Sequence, residues 1–282
     1  MGATARVARL VRAGWSLTGK TRALWQARRE GPVPADHLFD PLSEPQALAR
    51  AIPPAGIVLQ LSGVTPFSGG ALSDNTALAL ASLKAAEAAK AAHVFLASSA
   101  AVYGPHDRKL AETTQTAPTG AYGRAKQEME QAALSWRRSR AGASPGMTIL
   151  RIGNVLGADQ LIGRNAPNNR VLLDRFESGG GPRRSYIGPL TLANVLGVLF
   201  DHVAAGADLP EILNIATPDP VAMSDLLHAA GRSWLFRPAP AQAIESVVLD
   251  VSRLSAFYSF ARNDSDPTNM MAELETLIED RT

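Results

Sequence analysis

Along the first half of the chain, short runs of aliphatic and aromatic residues alternate with longer Ala-rich stretches, the pattern of a parallel sheet built from βαβ units. Ala5–Val11 reads as a helix and Arg22–Gln26 as a strand. Ser43-Glu44-Pro45-Gln46 has the S-x-x-Q form of a capping box, with Pro in the first turn, and leads a short helix through Ile52. Ile57–Leu61 is a buried strand that ends at Ser62-Gly63. Asp74 can cap a long helix over 75–92, whose small, strongly helix-forming residues suit close packing. His93–Ser98 is the next strand; a polar loop, a helix over Ala121–Arg138 and a strand over Met147–Ile152 follow.

Beyond Gly153-Asn154 the pattern loosens. Residues 158–189 are rich in Gly, Asn, Arg and Pro and read as loop, with one helix near Arg170–Glu177. Leu190–Ala204 is helical, Ile212–Ala216 is a late strand, and the remainder mixes short elements. The pattern predicts an α/β fold. A Rossmann-like, doubly wound parallel sheet takes residues 1–155, with 187–217 returning to it, and 156–186 with 218–282 make a smaller C-terminal lobe. The first strand is missing or truncated: such chains open on an apolar strand, and this one opens directly on Gly2-Ala3-Thr4.

Composition narrows the classes. The 282 residues are 46% hydrophobic, ordinary for a globular protein, and the net charge is +2, which supplies no strong field for nucleic acid or membrane. No run approaches the ~20 apolar residues of a membrane span. The absence of cysteine removes disulfides, thiolate metal sites and thiol nucleophiles, and the five histidines lack metal-binding spacing. The N-terminal arginines come without the apolar core of a secretory signal, so a soluble cytoplasmic protein is expected, with neither nucleic acid nor membrane as partner.

Candidate chemistry centres on Tyr122 and Lys126. At Y-x-x-x-K spacing on a helix the two lie on one face a turn apart, and a cation there lowers a phenol pKa toward neutrality, as a proton-transferring Tyr requires. The spacing alone is weak, because an exposed pair would show it too. Context strengthens it: a strand upstream ends in Ser98-Ser99-Ala100-Ala101-Val102-Tyr103-Gly104, and the C-terminal edge of a parallel strand is where α/β sheets bind ligands. Ser99 and Tyr122 hydroxyls can hold one substrate oxygen, while Lys126 tunes the phenol and can hold a cofactor ribose. Glu128 and Glu130, on the same helix, read as a solvated or interface face.

With these residues the chain resembles the extended branch of the short-chain dehydrogenase/reductase superfamily, the NAD-dependent epimerase/dehydratase proteins. SSAAVYG, YGRAK and LRIGNVLG carry the most specific likeness. The resemblance implies Tyr122 as acid/base, Lys126 as its partner and Ser99 as second hydroxyl, with hydride passing between a nicotinamide and a substrate carbon. It implies cofactor contacts from Gly2, Ala5 and Arg6 in the phosphate turn, Asp40 near the adenine, Leu61-Ser62-Gly63 at a strand end, and Asn75. Asn154 and Arg184, the latter in an R-x-Y-I segment, fall where the family touches a sugar-nucleotide substrate. The resemblance also implies a homodimer through the helices over 75–92 and 121–138.

Several departures qualify this picture. Ala5 and Ala8 stand at the second and third glycines of the phosphate turn, and a methyl at the second predicts a weakened pyrophosphate contact. Ala100-Ala101 replace the Asp-Glu pair of the family's dehydratases, which counts against 4,6-dehydration. Pro189-Leu190-Thr191 replace V-x-D. No acid closes the second strand, and Arg28 with Arg6 could pair with a 2′-phosphate, which favours NADP over NAD; surface arginines are the plainer alternative. In the family, the strand before Gly2 is the central one. About six apolar residues are absent by usual strand length. The expectation is an internal Met at the recorded start, with upstream codons for an apolar run; otherwise the strands at 22–26 and 57–61 flank a gap or have rearranged. The leading function is an NAD(P)-dependent oxidoreductase or epimerase acting on a nucleotide sugar or related hydroxyl/carbonyl substrate. The alternative is a non-catalytic dinucleotide-binding sensor or assembly protein of the same fold.

Overall fold

A computed structural model describes residues 1–18, 21–31, 34–66, 68–140, 145–163 and 171–279. In chain order the first half runs α1 (Arg6–Thr18), β1 (Gln26–Ala27), β2 (His37–Leu38), α2 (Pro45–Ala51), β3 (Ile57–Gln60), α3 (Asp74–Ala88), β4 (His93–Ser99), α4 (Ala121–Arg138) and β5 (Gly146–Ile152). The second half runs β6 (Asn154–Val155), β7 (Val171–Arg175), β8 (Arg183–Arg184), β9 (Tyr186–Ile187), α5 (Pro189–Ala204), β10 (Ile212–Ile215), β11 (Val221–Ala222), α6 (Met223–Ala229), β12 (Trp234–Pro238), β13 (Ser246–Val247), α7 (Ser252–Ser255) and α8 (Pro267–Glu279).

The central sheet is four-stranded and all parallel, in the order β10-β5-β4-β3. Helices cover both faces, as near-continuous apolar parallel strands require. On one face Ala79, Leu83 and Ala86 of α3 and Met129, Ala133 and Trp136 of α4 bury Val94, Leu96 and Ile149. On the other, α1 and α5 pack together over Phe95, Leu150, Leu213 and Ile215. The chain is thus an α/β protein with a doubly wound parallel sheet. None of the described helices is long and apolar enough to cross a membrane.

β1 and β2 form a separate parallel pair. The backbone of residues 1–3 runs between that pair and β3. Met1 O accepts from Leu61 N at 3.2 Å, while Gly2 N and Ala3 N donate to Gln26 O at 3.1 and 2.9 Å. The strands expected to flank a gap therefore flank this short segment, which bonds to both sides.

Several expected elements are corrected. The strand expected at 22–26 is confined to Gln26–Ala27, because the ladder partners begin only at His37. The capping box at Ser43 does not form: Glu44 occupies the N-cap of α2 without a side-chain cap bond. α3 begins at Asp74 and stops at Ala88, short of Ala92. Lys90 turns left-handed there (φ 54°), and Ala91 N returns to Ala86 O at 2.9 Å, a Schellman-type stop. The helix expected near Arg170–Glu177 is instead strand β7, paired in parallel with β12 from Val171↔Trp234 to Arg175↔Pro238; Arg170 lies outside the described residues. A short apolar run such as Val171-Leu172-Leu173 suits either period, and the distant partner strand decides it. At the other end of the chain, α8 packs on α5 and α1, and Glu273 accepts from Leu190 N and Thr191 N, both at 2.9 Å, capping α5 from outside its own sequence.

Candidate active site

β4 ends in two serines, and strand alternation sends their side chains to opposite faces. Ser98 turns into the protein beneath α4 and is buried; Ser99 accepts from Ala101 N at 3.2 Å, capping the tight turn over 100–102. α4 starts one residue before Tyr122, and Gly123 lets it approach the turn closely: a Cβ there would stand 2.4 Å from Ala101 O. Tyr122 thereby stands beside Ser99, whose hydroxyl favours the ionised phenol. One turn on, the buried Lys126 lies with Nζ 5.9 Å from the Tyr122 ring centre and donates to Ala97 O at 2.8 Å.

The electrostatics differ from the expectation on one point. Burial raises the Tyr122 phenol above its ordinary value, and the Ser99 hydroxyl only partly offsets this. Burial also lowers the Lys126 ammonium to about 8, opposed by the nearby Glu130 carboxylate. In the chain alone, desolvation outweighs the cation's pull on the phenol.

The residues expected to hold a dinucleotide form a continuous seam leading to Lys126. Gly2 adopts φ 80°, and a Cβ on it would stand 2.6 Å from the Ser62 backbone. Leu61 bonds back to Met1, and Gly63 lies against Asn75 Oδ1 and Lys126 Nζ, at 2.9 and 3.3 Å from where its Cβ would be. Asn75 is buried and locked by Val64 N (3.2 Å), Val64 O (3.0 Å) and Leu72 O (2.9 Å). Ala5 N closes the turn on Gly2 O, and Ala8 is fully buried, so the third glycine's packing role is met by a methyl. Arg28 is exposed just past β1; Phe39 N bonds to Ala27 O beside it, and Asp40 follows, its carboxylate accepting from Leu42 N at 3.0 Å. Arg6 is held by Asp159 O at 3.3 Å. This seam fits a dinucleotide: two positions admit no side chain, and polar and cationic groups stand at its ends.

Asn154 and Arg184 lie further out. Asn154 pairs in register with Tyr186, whose phenol donates to Asp159 at 3.1 Å. The Arg184 guanidinium donates to Arg183 O, Ile244 O and Glu245 O at 2.7–2.8 Å, so it ties β8 to the segment before β13. That segment walls a cavity of about 720 Å³, also lined by Arg175, Phe176, Phe236, Arg237 and Pro238. Ser99, Tyr122 and Lys126 do not line it. No group of His, Asp and Glu suited to a metal occurs among the described residues.

Glu130 corrects the sequence reading: it is buried, not solvated, and forms an ion pair with Arg151 at 2.7 Å, whereas Glu128 is exposed as expected. Two sequence features could have revealed it. Glu130 sits four residues past Lys126 on the same helix face, and Arg151 interrupts an otherwise apolar strand that must be buried.

Residues 42–195 match the family model described as the NAD dependent epimerase/dehydratase family. No curated protein matches the chain. Among solved structures, the chain is similar to MoeE5 in complex with UDP-glucuronic acid and NAD (18% identity, TM-score 0.76, 99% of this chain and 97% of that one). It is also similar to TunA, a NAD dependent NDP-hexosamine 5,6-dehydratase (14% identity, TM-score 0.74, 99% and 96%). A third is a UDP-glucuronic acid 4-epimerase from Bacillus cereus, bound to a fluorinated substrate analogue and NAD (15% identity, TM-score 0.73, 99% and 98%). These likenesses establish the fold, and the match over more than half of the sequence establishes the lineage: the chain belongs to the NAD-dependent epimerase/dehydratase family.

Proposed function

We propose that this protein is an NAD(P)-dependent epimerase or oxidoreductase acting on a hydroxyl or carbonyl carbon of a nucleotide sugar, with Ser99, Tyr122 and Lys126 as its catalytic residues. The observation that carries the reading is the convergence of the Ser99 and Tyr122 hydroxyls beside a buried lysine, at the end of a seam that two glycines keep open. Gly2, Ala5, Arg6, Arg28, Asp40, Leu61, Ser62, Gly63 and Asn75, with Tyr122 and Lys126, would hold the dinucleotide, whose nicotinamide supplies hydride transfer there. Tyr122 Oη takes the proton of the substrate hydroxyl as its carbon is oxidised and returns it on reduction. Ser99 Oγ donates to the same substrate oxygen, and the Lys126 ammonium favours the phenolate once the site closes on its ligands.

The substrate lobe of 156–186 and 218–282 takes the nucleotide, with Asn154 and Arg184 at the junction to the dinucleotide-binding part, 1–155 with 187–217. The cavity beyond Arg184, with Arg175, Arg237 and Phe236 in its walls, suits a planar anionic group. Ala100 and Ala101 offer no carboxylate beside the turn, which favours epimerisation or simple redox chemistry over 4,6-dehydration. Arg28 and the lack of an acid at the end of β1 favour NADP over NAD. A cytoplasmic homodimer through α3 and α4 belongs to the same reading.

Fluorescence titration with NADPH and NADH, followed by turnover of a panel of UDP- and dTDP-sugars, tests the proposal. Tyr122→Phe should retain dinucleotide binding and lose turnover by about 100-fold or more. Ala5 in the phosphate turn favours a second reading, a dinucleotide sensor without turnover; it predicts binding of one dinucleotide and no reaction with any sugar of the panel. Failure to bind either dinucleotide at millimolar concentration would refute both.

A further inference from the structure

Beneath the Ser99 turn lies a row of polar side chains that the proposed chemistry does not use. Ser98 on β4, Arg151 on β5 and Asn214 on β10 are register partners across three adjacent strands, one residue below Ser99. All three are buried. The contacts of Ser98 and Arg151 converge on Glu130, which is 3% exposed. Its carboxylate accepts from Ser98 Oγ at 2.5 Å, from Arg151 Nη2 at 2.7 Å and from Arg151 Nε at 3.1 Å. Behind it, the Arg151 guanidinium lies 4.7 Å from the Tyr103 ring centre, and Tyr103 donates to Asn214 at 2.7 Å.

We propose that Glu130 is the positioning residue of this site: it ties the strand that carries Ser99 to the helix that carries Tyr122 and Lys126, and it supplies the buried counter-charge of the Lys126 ammonium. Glu130 follows Lys126 by four residues and Tyr122 by eight, so all three share one helix face. A carboxylate anchored to Ser98 fixes how far that face stands from the strand end, and with it the approach of Tyr122 to Ser99. The charge role follows from burial. The charged and titratable groups facing Lys126 are Tyr122 and Glu130 from α4, with Arg151 of β5 behind Glu130. Among the described residues, β4 and the β3–α3 segment bring Ala97 and Gly63, with Asn75 beside Gly63, against Lys126. Without Glu130, the buried Lys126 and Arg151 would each lose the carboxylate that opposes the cost of their burial.

The proposal rests on the reading that Lys126 works at the active site, yet its test needs neither substrate nor dinucleotide. The sequence holds five lysines (20, 84, 90, 109 and 126), so NMR of protein labelled at lysine Cε, assigned with Lys126→Met, follows the Lys126 titration directly. Glu130→Gln should lower its midpoint by about one pH unit, a tenfold change in the ratio of ammonium to amine. Arg151→Met removes the competing cation instead and should raise the midpoint, so either variant suffices if the other fails to fold. Glu130→Asp keeps the charge and should hold the midpoint near that of the wild type. A folded Glu130→Gln or Arg151→Met protein with an unmoved midpoint, or a shift of the opposite sign, overturns the proposal. A response as stated in a protein that turns over no sugar would leave this inference standing and refute only the proposed function.

Discussion

Replacing Gly63 by alanine tests the seam between cofactor turn and catalytic lysine most directly. The new methyl would stand 2.9 Å from Asn75 Oδ1 and 3.3 Å from Lys126 Nζ. Relieving the first contact to an ordinary separation of ~3.4 Å or more requires Asn75 to retreat by about 0.5 Å. Lys126 can swing aside, but Asn75 cannot follow freely. Its amide already bonds Val64 N at 3.2 Å, Val64 O at 3.0 Å and Leu72 O at 2.9 Å. The retreat stretches the Val64 N–H bond past a useful length, and a buried donor left without its acceptor costs about 1–3 kcal/mol. Gly63→Ala should therefore lose about that much stability in urea unfolding. It should also bind NAD(P)H at least about tenfold more weakly by fluorescence titration, a difference of ~1.4 kcal/mol. Gly120→Ala is the control, since a Cβ there meets nothing within 4 Å and its φ of −95° suits alanine. A Gly63→Ala protein with wild-type unfolding midpoint and wild-type affinity would refute both the packing argument and the placement of the cofactor along this seam.

Three further outcomes are expected. His93 is buried against Thr148 (3.1 Å), and burial, aided by Arg137, lowers its pKa from 6.5 to about 4. Because the unfolded chain takes up the proton first, stability should be full above pH 6.5 and fall as the pH drops toward 4, by up to about 3 kcal/mol. Urea unfolding across that window should show the fall in wild type and lack this component in His93→Phe. Glu273→Ala orphans Leu190 N and Thr191 N at the start of α5 and should cost about 2–3 kcal/mol in the same assay. Ala5→Gly restores the second glycine of the phosphate turn and should tighten NAD(P)H binding several-fold; unchanged or weaker binding would show that Ala5 does not border the pyrophosphate.

The sequence by itself determined the repeating elements and the spacing of the candidate site. α4 occupies Ala121–Arg138 as its pattern predicts, because a long amphipathic helix is specified locally. Tyr122 and Lys126 share a face because helical pitch places them there. Ser99 falls at the end of β4 because strand and turn residues mark that boundary. Some elements whose partners lie far away in sequence were not legible, although the strand at Ile212–Ile215 was. Val171–Arg175 becomes a strand only because Trp234–Pro238 lies beside it, and the residues after Arg22 stay outside the ladder because theirs begins at His37. The same holds for charge. Glu128 and Glu130 look alike on paper, but tertiary packing leaves one in water and buries the other against Arg151 and Ser98. Local sequence fixes the period of an element and the side chains on each face. Which face is buried, and which distant group meets a charge there, depends on contacts between segments many residues apart, and only the assembled fold supplies them.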